Sequence, residues 1–237
     1  MIELGMRFVR LCPICGSEAY SDSVICPECA SQLDSECFDS FMTRCPKCFY
    51  PRISDQYPCK RCSCSGIESS KVHQVYPVAR YDGKLGFSIV DSFKFHNRRD
   101  LAKVVALYLN RALDVLDSAG KAVVVPIPCS RGRLLRFGWD QMEQVCRYLK
   151  RPNISLLRRT DDNLVQQKHL GKSQRQEASG SKFCLEEEVA DLDDLKSRKL
   201  IVVDDIMTTG STMDAAISLL EENGFSDVCG ATWLAEL

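Results

Sequence analysis

The chain has 237 residues, 45% of them hydrophobic and 27% charged, and its formal net charge is −1 at pH 7. These values are ordinary for a globular protein and exclude a general electrostatic attraction to nucleic acids or membranes, so any such affinity has to come from a local patch. Since the sequence has no apolar run of membrane-spanning length and no secretory signal at its N-terminus, we expect a cytoplasmic protein without membrane insertion.

Cysteine dominates the first 70 residues, where ten of the 14 cysteines fall between Cys12 and Cys64. Eight of these ten form CxxC pairs, in two sets with ten residues between the two pairs: Cys12, Cys15, Cys26 and Cys29, then Cys45, Cys48, Cys59 and Cys62. Two CxxC turns direct four thiolates at one ion, and without an export signal this spacing favours a metal over disulfides. The pattern predicts two zinc sites in a double zinc ribbon, with an iron–sulfur cluster or a redox role as the alternative.

The other cysteines are expected to be spectators. Cys37 and Cys64 lie outside the two sets, although Cys64 could replace Cys62 in a shifted register. Four more are expected to be small buried hydrophobic residues, namely Cys129, Cys146, Cys184 and Cys229. Because four thiolates complete a tetrahedral zinc site, we expect structural zinc whose binding supplies the folding energy of the ribbon.

Strand and helix patterns alternate after a predicted linker at residues 62–70. The predicted strands are His73–Arg80, Ala122–Ile127, Ile154–Leu157, Leu200–Val203 and Val228–Leu234. The predicted helices are Leu85–Phe93, Leu101–Leu116, Gln141–Lys150 and one that ends at Gly224. This alternation predicts an α/β domain over residues 71–237, with a mostly parallel sheet and helices on both faces, behind a zinc-ribbon domain over residues 1–70.

A basic stretch with aromatic neighbours follows the first of these helices. Its members are Lys94, Arg98, Arg99 and Lys103, close to Phe93, Phe95 and His96. Cations interleaved with aromatic rings could track a phosphate backbone and stack bases. The alternative is an ordinary helix with a solvated basic face.

Three arginines follow the strand Ala122–Ile127. We expect Arg131, Arg133 and Arg136 to lie in a glycine-containing loop at the end of this strand, where guanidinium groups suit phosphate or pyrophosphate. A solvated basic loop is the alternative. The polar segment over residues 158–182 is predicted to be a lid that brings cations over a polyphosphate, or else a disordered loop. Its candidate cations are Arg158, Lys168, Lys172 and Arg175.

The segment over residues 199–224 carries the sharpest functional signal. The short apolar run Leu200–Val203 predicts a buried strand, after which come the adjacent acids Asp204 and Asp205. A hydroxyl-rich loop then leads into an amphipathic helix, and it consists of Thr208, Thr209, Gly210, Ser211 and Thr212. Backbone amides at a helix N-terminus bind phosphate, and carboxylates accept hydrogen bonds from sugar hydroxyls. The residues therefore predict a sugar-phosphate site, with metal binding or helix capping by the acids as alternatives.

The order of acid pair, threonines, glycine and threonine closely resembles the phosphoribosyl pyrophosphate (PRPP) loop of type I phosphoribosyltransferases. The whole chain further resembles the ComF family of bacterial competence proteins. The features that carry this resemblance are the double four-cysteine ribbon, FKFHNRRDLA at 93–102, VVVPIPCSRGRLLRFGWDQ at 123–141, Gln166 and Gln167, and LIVVDDIMTTGST at 200–212.

The resemblance implies roles for these residues. Asp204 and Asp205 would be the catalytic pair that binds the ribose hydroxyls, the loop over residues 208–212 would bind the 5-phosphate, and the arginines after Ile127 would face the pyrophosphate, with Mg²⁺ bridging oxygens of the ligand. A transferase of this kind displaces pyrophosphate from C1 of the ribose by a nitrogen nucleophile, which needs no covalent nucleophile on the protein. No histidine is assigned a catalytic role.

Two departures from the family pattern put turnover in doubt more than binding. ComF proteins usually carry Gly-Phe-Asn-Gln where this chain has Gly-Trp-Asp-Gln at 138–141, so Asp140 brings an acid close to the expected pyrophosphate site. The lid is also less basic than in relatives. The main hypothesis is therefore a PRPP- and Mg²⁺-dependent phosphoribosyltransferase-like protein in DNA uptake, with other competence proteins as partners. The alternatives are a non-catalytic factor that binds single-stranded DNA and a nucleotide-sensing regulator.

Overall fold

The structure, a computed structural model, describes residues 10–19, 23–64, 72–160, 182–186 and 192–236. In chain order its strands are β1 Arg10–Leu11, β2 Glu18–Ala19, β3 Thr43–Arg44, β4 Pro51–Arg52, β5 Val75–Arg80, β6 Val123–Pro126, β7 Leu157–Arg159, β8 Phe183–Leu185, β9 Leu200–Met207 and β10 Val228–Ala235. Its α-helices are α1 Pro27–Glu36, α2 Lys60–Cys64, α3 Lys84–Phe95, α4 Ala102–Leu116, α5 Arg131–Phe137, α6 Gln141–Cys146, α7 Leu192–Lys196 and α8 Ser211–Glu222. Short 3₁₀ turns occur at Phe38–Ser40 and Arg99–Leu101.

A four-stranded parallel sheet with the order β5-β10-β9-β6 forms the centre of the molecule. Its strands are rich in β-branched and apolar residues, as expected for strands that are buried on both faces. The predicted α/β class and the parallel sheet are confirmed. Because all four strands run in the same direction, their carboxyl ends lie at the same end of the sheet. Ligands bind at this end in open α/β sheets.

Side chains of the sheet alternate between two hydrophobic clusters, one on each face. On one face, Val124 and Ile201 pack in a cluster with α3, α4 and α6. On the other face, Val125 and Val202 pack in a cluster with α8 and Leu195 of α7. Helices therefore cover both faces, as predicted. No helix among the described residues has both the length and the apolar character needed to cross a membrane.

Strand β9 is longer than the sequence pattern predicted. The ladder with β10 continues past Val203, pairing Thr232 with Asp204 and Ala235 with Met207. The acid pair consequently lies inside the strand and not after it. The apolar run ends at Val203, but the length of the neighbouring strand, which is a tertiary property, determines where the pairing ends.

The cysteine-rich segment covers the edge of the sheet that is formed by β5. Its backbone reaches β5 at two points, since the amide of Val75 donates to the carbonyl of Cys48 at 3.0 Å and Cys37 forms an antiparallel bridge with Ala79. An uncovered edge strand would present a row of unpaired backbone groups. Cysteines of the first set pack in the hydrophobic cluster with α3, α4 and α6. Cysteines of the second set pack in the cluster with α8 on the other face of the sheet. The boundary near residue 70 stays a prediction, and residues 65–71 lie outside the described part of the chain.

Helix α3 is held at its N-terminus by an acid from the cysteine-rich segment. The carboxylate of Glu36 accepts hydrogen bonds from the amides of Leu85 at 2.9 Å and Gly86 at 2.8 Å. The N-cap residue, Gly83, has no side chain to do this. A Cβ atom at Gly83 would lie 2.5 Å from Oε2 of Glu36, so this approach requires glycine. Glu36 therefore fixes α3 relative to α1.

Three segments differ from the prediction. The expected loop over the three arginines is helix α5, which Ser130 caps through its hydroxyl and which ends at Gly138 in the left-handed conformation. The helix predicted over Gln141–Lys150 ends at Cys146. The strand predicted at Ile154–Leu157 is instead β7, which pairs with β8 in a separate antiparallel ribbon.

Candidate functional site

The carboxyl end of β9 leads through a tight turn into α8. Gly210, with φ of 81°, is the N-cap of this helix. The left-handed conformation suits glycine, and a residue without a side chain leaves the helix N-terminus uncapped from that position. The hydroxyl of Thr209 accepts a hydrogen bond from the amide of Ser211 at 3.3 Å. The strand, loop and helix predicted here are thus present, and their amides and hydroxyls could hold a phosphate; the binding roles of residues 208–212 stay a prediction.

The two acids of the predicted site are adjacent but experience different surroundings. Asp205 is buried, and Nζ of Lys94 lies 2.7 Å from each of its carboxylate oxygens. The carboxylate of Asp204 accepts a hydrogen bond from the amide of Asp205 at 2.9 Å. Because side chains alternate along a strand, the two carboxylates lie on opposite faces of the sheet. Lys94 therefore neutralises the charge of Asp205. The charge of Asp204 is stabilised by more distant cations, Lys94 and Arg159, and by the amide of Asp205.

The pKa of Asp204 is raised well above its usual range. Loss of solvation is the largest cause, and the neighbouring charge of Asp205 adds to it. Lys94 and Arg159 act in the opposite direction through their positive charges. Asp204 consequently holds its proton to higher pH than an ordinary aspartate, until a ligand or cation approaches.

The sequence does not identify Lys94 as a partner of the acid pair. The basic stretch that contains it predicts either binding to a nucleic-acid backbone or a solvated helix face. Lys94 follows the buried Val90 by four residues on α3, which places it beside the buried face of that helix. This spacing is the signal that could have identified it. Arg159 is a second missed residue; its Nε donates to the carbonyl of Pro128 at 2.8 Å, next to the end of β6.

The three predicted pyrophosphate arginines do not form one group. Arg133 lies against the end of α3, where it donates to the carbonyl of Lys94 at 3.3 Å and stacks on Phe95 and Phe137. Arg131 and Arg136 are exposed. A helix turns by about 100° per residue, so Arg131 and Arg133 project in different directions. The structure connects Arg133 to the acid pair through Lys94, and the roles of the other two stay a prediction.

Asp140 is a structural residue in this fold. Its carboxylate accepts hydrogen bonds from the amides of Met142 at 2.8 Å, Glu143 at 3.1 Å and Cys129 at 2.6 Å. It thereby caps α6 and fastens the segment after β6. Because three amides donate hydrogen bonds to its carboxylate, Asp140 should repel a bound anion less than an unpaired aspartate would. An asparagine could not accept all three bonds with one oxygen and a donor nitrogen.

The predicted lid falls mostly outside the described residues, including Gln166, Gln167, Lys168, Lys172 and Arg175. Its two ends are described. Arg158 lies in β7, close to Glu186. At the other end, Nζ of Lys182 lies 2.8 Å from the hydroxyl of Ser211, which brings a cation to the start of α8.

The eight cysteines of the two sets form two compact clusters, as the CxxC spacing predicts. Within each cluster the four sulfur atoms lie within 4.8 Å of one another, a spacing that fits four thiolates around one ion. The first cluster is Cys12, Cys15, Cys26 and Cys29, and the second is Cys45, Cys48, Cys59 and Cys62. Both clusters could therefore hold zinc. Cys37 lies outside them, and its thiol donates to the carbonyl of Leu33.

One sulfur of each cluster is set up to be a thiolate, the form that binds zinc. Hydrogen bonds from Ser17 lower the pKa of Cys15 to about 6. Burial acts to raise the pKa of Cys45, but hydrogen bonds from the amides of Cys48 and Lys47 outweigh it and lower that pKa to about 7.

Metal removal tests the structural role of these clusters. We expect two zinc ions per chain, and we expect a strong chelator to lower the melting temperature by at least about 10 °C, because both clusters belong to the core that packs on the sheet. Metal analysis and calorimetry measure both quantities. Cys15→Ser should release one zinc ion, whereas Cys129→Ser, outside the clusters, should release none. Equal zinc content in all three proteins would contradict this assignment.

The raised pKa of Asp204 predicts that this acid costs stability at neutral and alkaline pH. A raised carboxyl pKa gives stability that is complete below the usual value near 4 and is lost as the pH rises through the raised value. Asp204→Asn abolishes this loss. Its stability relative to wild type should therefore increase by a few kcal/mol between about pH 5.5 and pH 8.5, a range that avoids acid release of the metals.

Urea unfolding at several pH values measures this difference. Asp193→Asn on α7 is the matched control, because Asp193 is fully exposed and its replacement should give no pH-dependent difference. A penalty for Asp204→Asn that is the same at every pH would contradict the prediction.

Comparison with known proteins agrees with this geometry. Residues 154–235, which include β9, the loop and α8, match the family model described as phosphoribosyl transferase domain. The chain is 28% identical over 231 residues to DNA utilization protein YhgH of Salmonella typhimurium, covering 92% of this chain and 93% of that protein. It is 27% identical over 195 residues to the protein of that name in Escherichia coli K12, covering 78% and 81%. Competence protein F of Haemophilus influenzae is 23% identical over 212 residues, covering 86% and 87%. These findings confirm the resemblance to the ComF family and identify a phosphoribosyltransferase domain behind the cysteine-rich segment of this chain.

Proposed function

We propose that this protein binds PRPP with Mg²⁺ at the segment from Asp204 to Thr212 and acts as a phosphoribosyltransferase-like protein of DNA utilisation in the cytoplasm. The observation that carries the proposal is the acid pair in the second half of β9, a few residues before the glycine turn and the N-terminus of α8. An acid pair suits ribose hydroxyls, and a helix N-terminus suits a phosphate. The matching family model and the names of the relatives support the same conclusion.

The residues of the site would divide the ligand between them. Asp204 would accept hydrogen bonds from ribose hydroxyls. The ion pair between Asp205 and Lys94 would keep this part of β9 in place. The amides at the start of α8 and the hydroxyls of residues 208–212 would donate to the 5-phosphate. Lys182, at the hydroxyl of Ser211, adds a cation on the phosphate side.

Magnesium fits this site as a companion of the ligand. Mg²⁺ prefers oxygen ligands and commonly takes several of them from substrate phosphates and water. Asp204 and Asp205 offer carboxylate oxygens, of which both from Asp205 already contact Lys94. We therefore expect the pyrophosphate and ribose oxygens to supply most of the ligands of the ion, with Asp204 as the nearest acid of the chain.

A transfer reaction at this site would break the bond between C1 of the ribose and the pyrophosphate oxygen. A nitrogen of the acceptor would form the new bond to C1 and lose a proton, and pyrophosphate would leave as the anion. The protein has to position the two reactants and stabilise charge, which a fixed arrangement of acids, amides and cations can do. The relatives' names suggest that the product or the bound state serves DNA utilisation. Other competence proteins as partners are part of this proposal.

Calorimetric titration of PRPP with and without Mg²⁺ tests the proposal. Wild-type protein should bind PRPP more tightly with Mg²⁺, and changing both Asp204 and Asp205 to alanine should weaken binding about 100-fold, because the ribose-binding carboxylate of Asp204 and the ion pair of Asp205 with Lys94 are both lost. Changing Asp193 and Asp194 to alanine, which removes two exposed acids from α7, is the matched control. Absence of PRPP binding in the wild type would overturn the proposal, and pyrophosphate release on adding candidate acceptors would show turnover.

A second candidate function, single-stranded DNA binding, is favoured by an aromatic and basic patch. Phe95 of α3 is 50% exposed and Phe137 of α5 lies beside it, with ring centroids 6.5 Å apart. Arg133 stacks on both rings, and Arg136 stacks on Phe137. An exposed ring, a half-buried ring and guanidinium groups in one place suit unpaired bases and their phosphates.

Fluorescence anisotropy with a labelled oligonucleotide tests this candidate. Phe95→Ala should weaken binding about tenfold, since one stacked base is lost, and the affinity should fall as salt rises. Phe87→Ala is the control, because Phe87 is a similarly exposed phenylalanine (45%) on the same helix but lies outside the patch. Equal effects of the two changes would reject the patch, and binding that survives the alanine changes at Asp204 and Asp205 would separate it from the PRPP site.

A further inference from the structure

A residue of the second cysteine cluster reaches the loop at the start of α8. Arg61 lies in α2, between the cluster members Cys59 and Cys62. Its side chain is 11% exposed, and Nη2 donates to the carboxylate of Asp214, in the first turn of α8. This ion pair joins residues that are far apart in the chain. It connects the cysteine-rich segment to the start of α8, next to residues 208–212, which we call the phosphate loop.

The guanidinium of Arg61 also lies directly against Gly210. A Cβ atom built on Gly210 would come within 2.5 Å of Nη1 of Arg61. Glycine at this position therefore serves the left-handed turn and leaves room for the guanidinium. Arg61 thus contacts both ends of the first helical turn, whose closing hydrogen bond runs from the amide of Asp214 to the carbonyl of Gly210 at 2.9 Å.

Asp214 is held from a second side by a histidine. Nδ1 of His73 lies 3.1 Å from the carboxylate of Asp214, and Nε2 of the same ring lies 3.6 Å from Glu221, two turns further along α8. Burial acts to raise the pKa of Asp214, but the hydrogen bond from His73 and the charge of Arg61 lower it below its usual value. Asp214 is therefore an anion fixed between two partners, which makes it a firm anchor for Arg61.

The second cysteine cluster can restrict the conformation of the first turn of α8 through Arg61. When Cys59 and Cys62 bind one ion, the backbone between them is fixed, and with it the base of the Arg61 side chain. The second cluster also shares a hydrophobic cluster with Met213 and Ile217 of α8. The first cysteine cluster packs in the hydrophobic cluster on the opposite face of the sheet.

We propose that Arg61 is a positioning residue through which metal binding at the second cysteine cluster sets the shape of the phosphate loop and thereby its affinity for a sugar phosphate. The part that concerns affinity rests on the proposed function above. The part that concerns loop shape does not, because it depends only on the contacts of Arg61 with Gly210 and Asp214. The zinc module is then a component of the ligand site and not a separate appendage.

The test compares Arg61→Ala with Arg52→Ala. Arg52 lies in the same cysteine-rich segment and pairs with Asp55, so both changes remove one ion-paired arginine and leave all eight cysteines in place. Metal analysis first establishes that each variant keeps two zinc ions. With PRPP and ribose 5-phosphate as probes, Arg61→Ala should bind about tenfold more weakly than wild type, whereas Arg52→Ala should stay within about twofold.

Three further variants distinguish positioning from direct phosphate binding. Arg61→Lys keeps the cation and should recover part of the affinity. Asp214→Asn should weaken binding on its own, and the double change of Arg61 and Asp214 should weaken it by less than the product of the two single effects, since the two residues share one contact. If Asp214→Asn leaves affinity unchanged while Arg61→Ala lowers it, the positioning role is wrong.

A ligand-independent measurement keeps the two proposals separable. Hydrogen exchange at the amide of Asp214 should be about tenfold faster in Arg61→Ala than in wild type or Arg52→Ala, because the first turn of α8 loses its support. If wild type binds neither probe but this exchange difference is present, the proposed ligand is wrong and the positioning role stands. If exchange and affinity in Arg61→Ala both equal those of wild type with two zinc ions bound, the positioning role is overturned.

Discussion

Asp204 and Asp205 place two carboxylates on consecutive residues of a buried strand, where negative charge is costly. The ammonium of Lys94, which contacts both oxygens of Asp205, offsets that cost. Much of the surrounding structure serves to bring this lysine to the sheet. Glu36 fixes the start of α3, and Arg133 donates to the carbonyl of Lys94 at its other end. Without a fixed α3, the buried charge of Asp205 would lose its counter-ion.

The cysteine-rich segment is therefore connected to the site on both faces of the sheet. On one face, Glu36 of this segment orders the helix that carries Lys94. On the other face, Arg61 of this segment contacts the turn that begins α8. A site assembled from four distant parts of the chain needs such connections, because each part alone has too little core to hold a charged group in place.

Local pattern was sufficient for much of this structure. The CxxC spacing predicted both cysteine clusters, and the segment over residues 200–212 predicted the strand, the turn and the helix of the site. Other features depend on tertiary contacts that a single sequence does not display. Helix α5 buries no residue, so it has no apolar stripe to reveal it, although Ser130 and Gly138 are good capping residues. The ion pair of Lys94 spans 111 residues, and no periodicity reports such a contact.

The order of the sheet has a consequence for how the chain acquires its structure. Strand β10 comes last among the four strands in sequence, yet it lies between β5 and β9. Before β10 is made, β5 with the attached cysteine-rich segment and the pair of β6 and β9 are separate pieces with unpaired edges. Such pieces expose apolar strands during synthesis and are prone to aggregate. The cysteine-rich segment, which is made before β5, can cover the outer side of this strand during the interval through its backbone contacts with Val75 and Ala79.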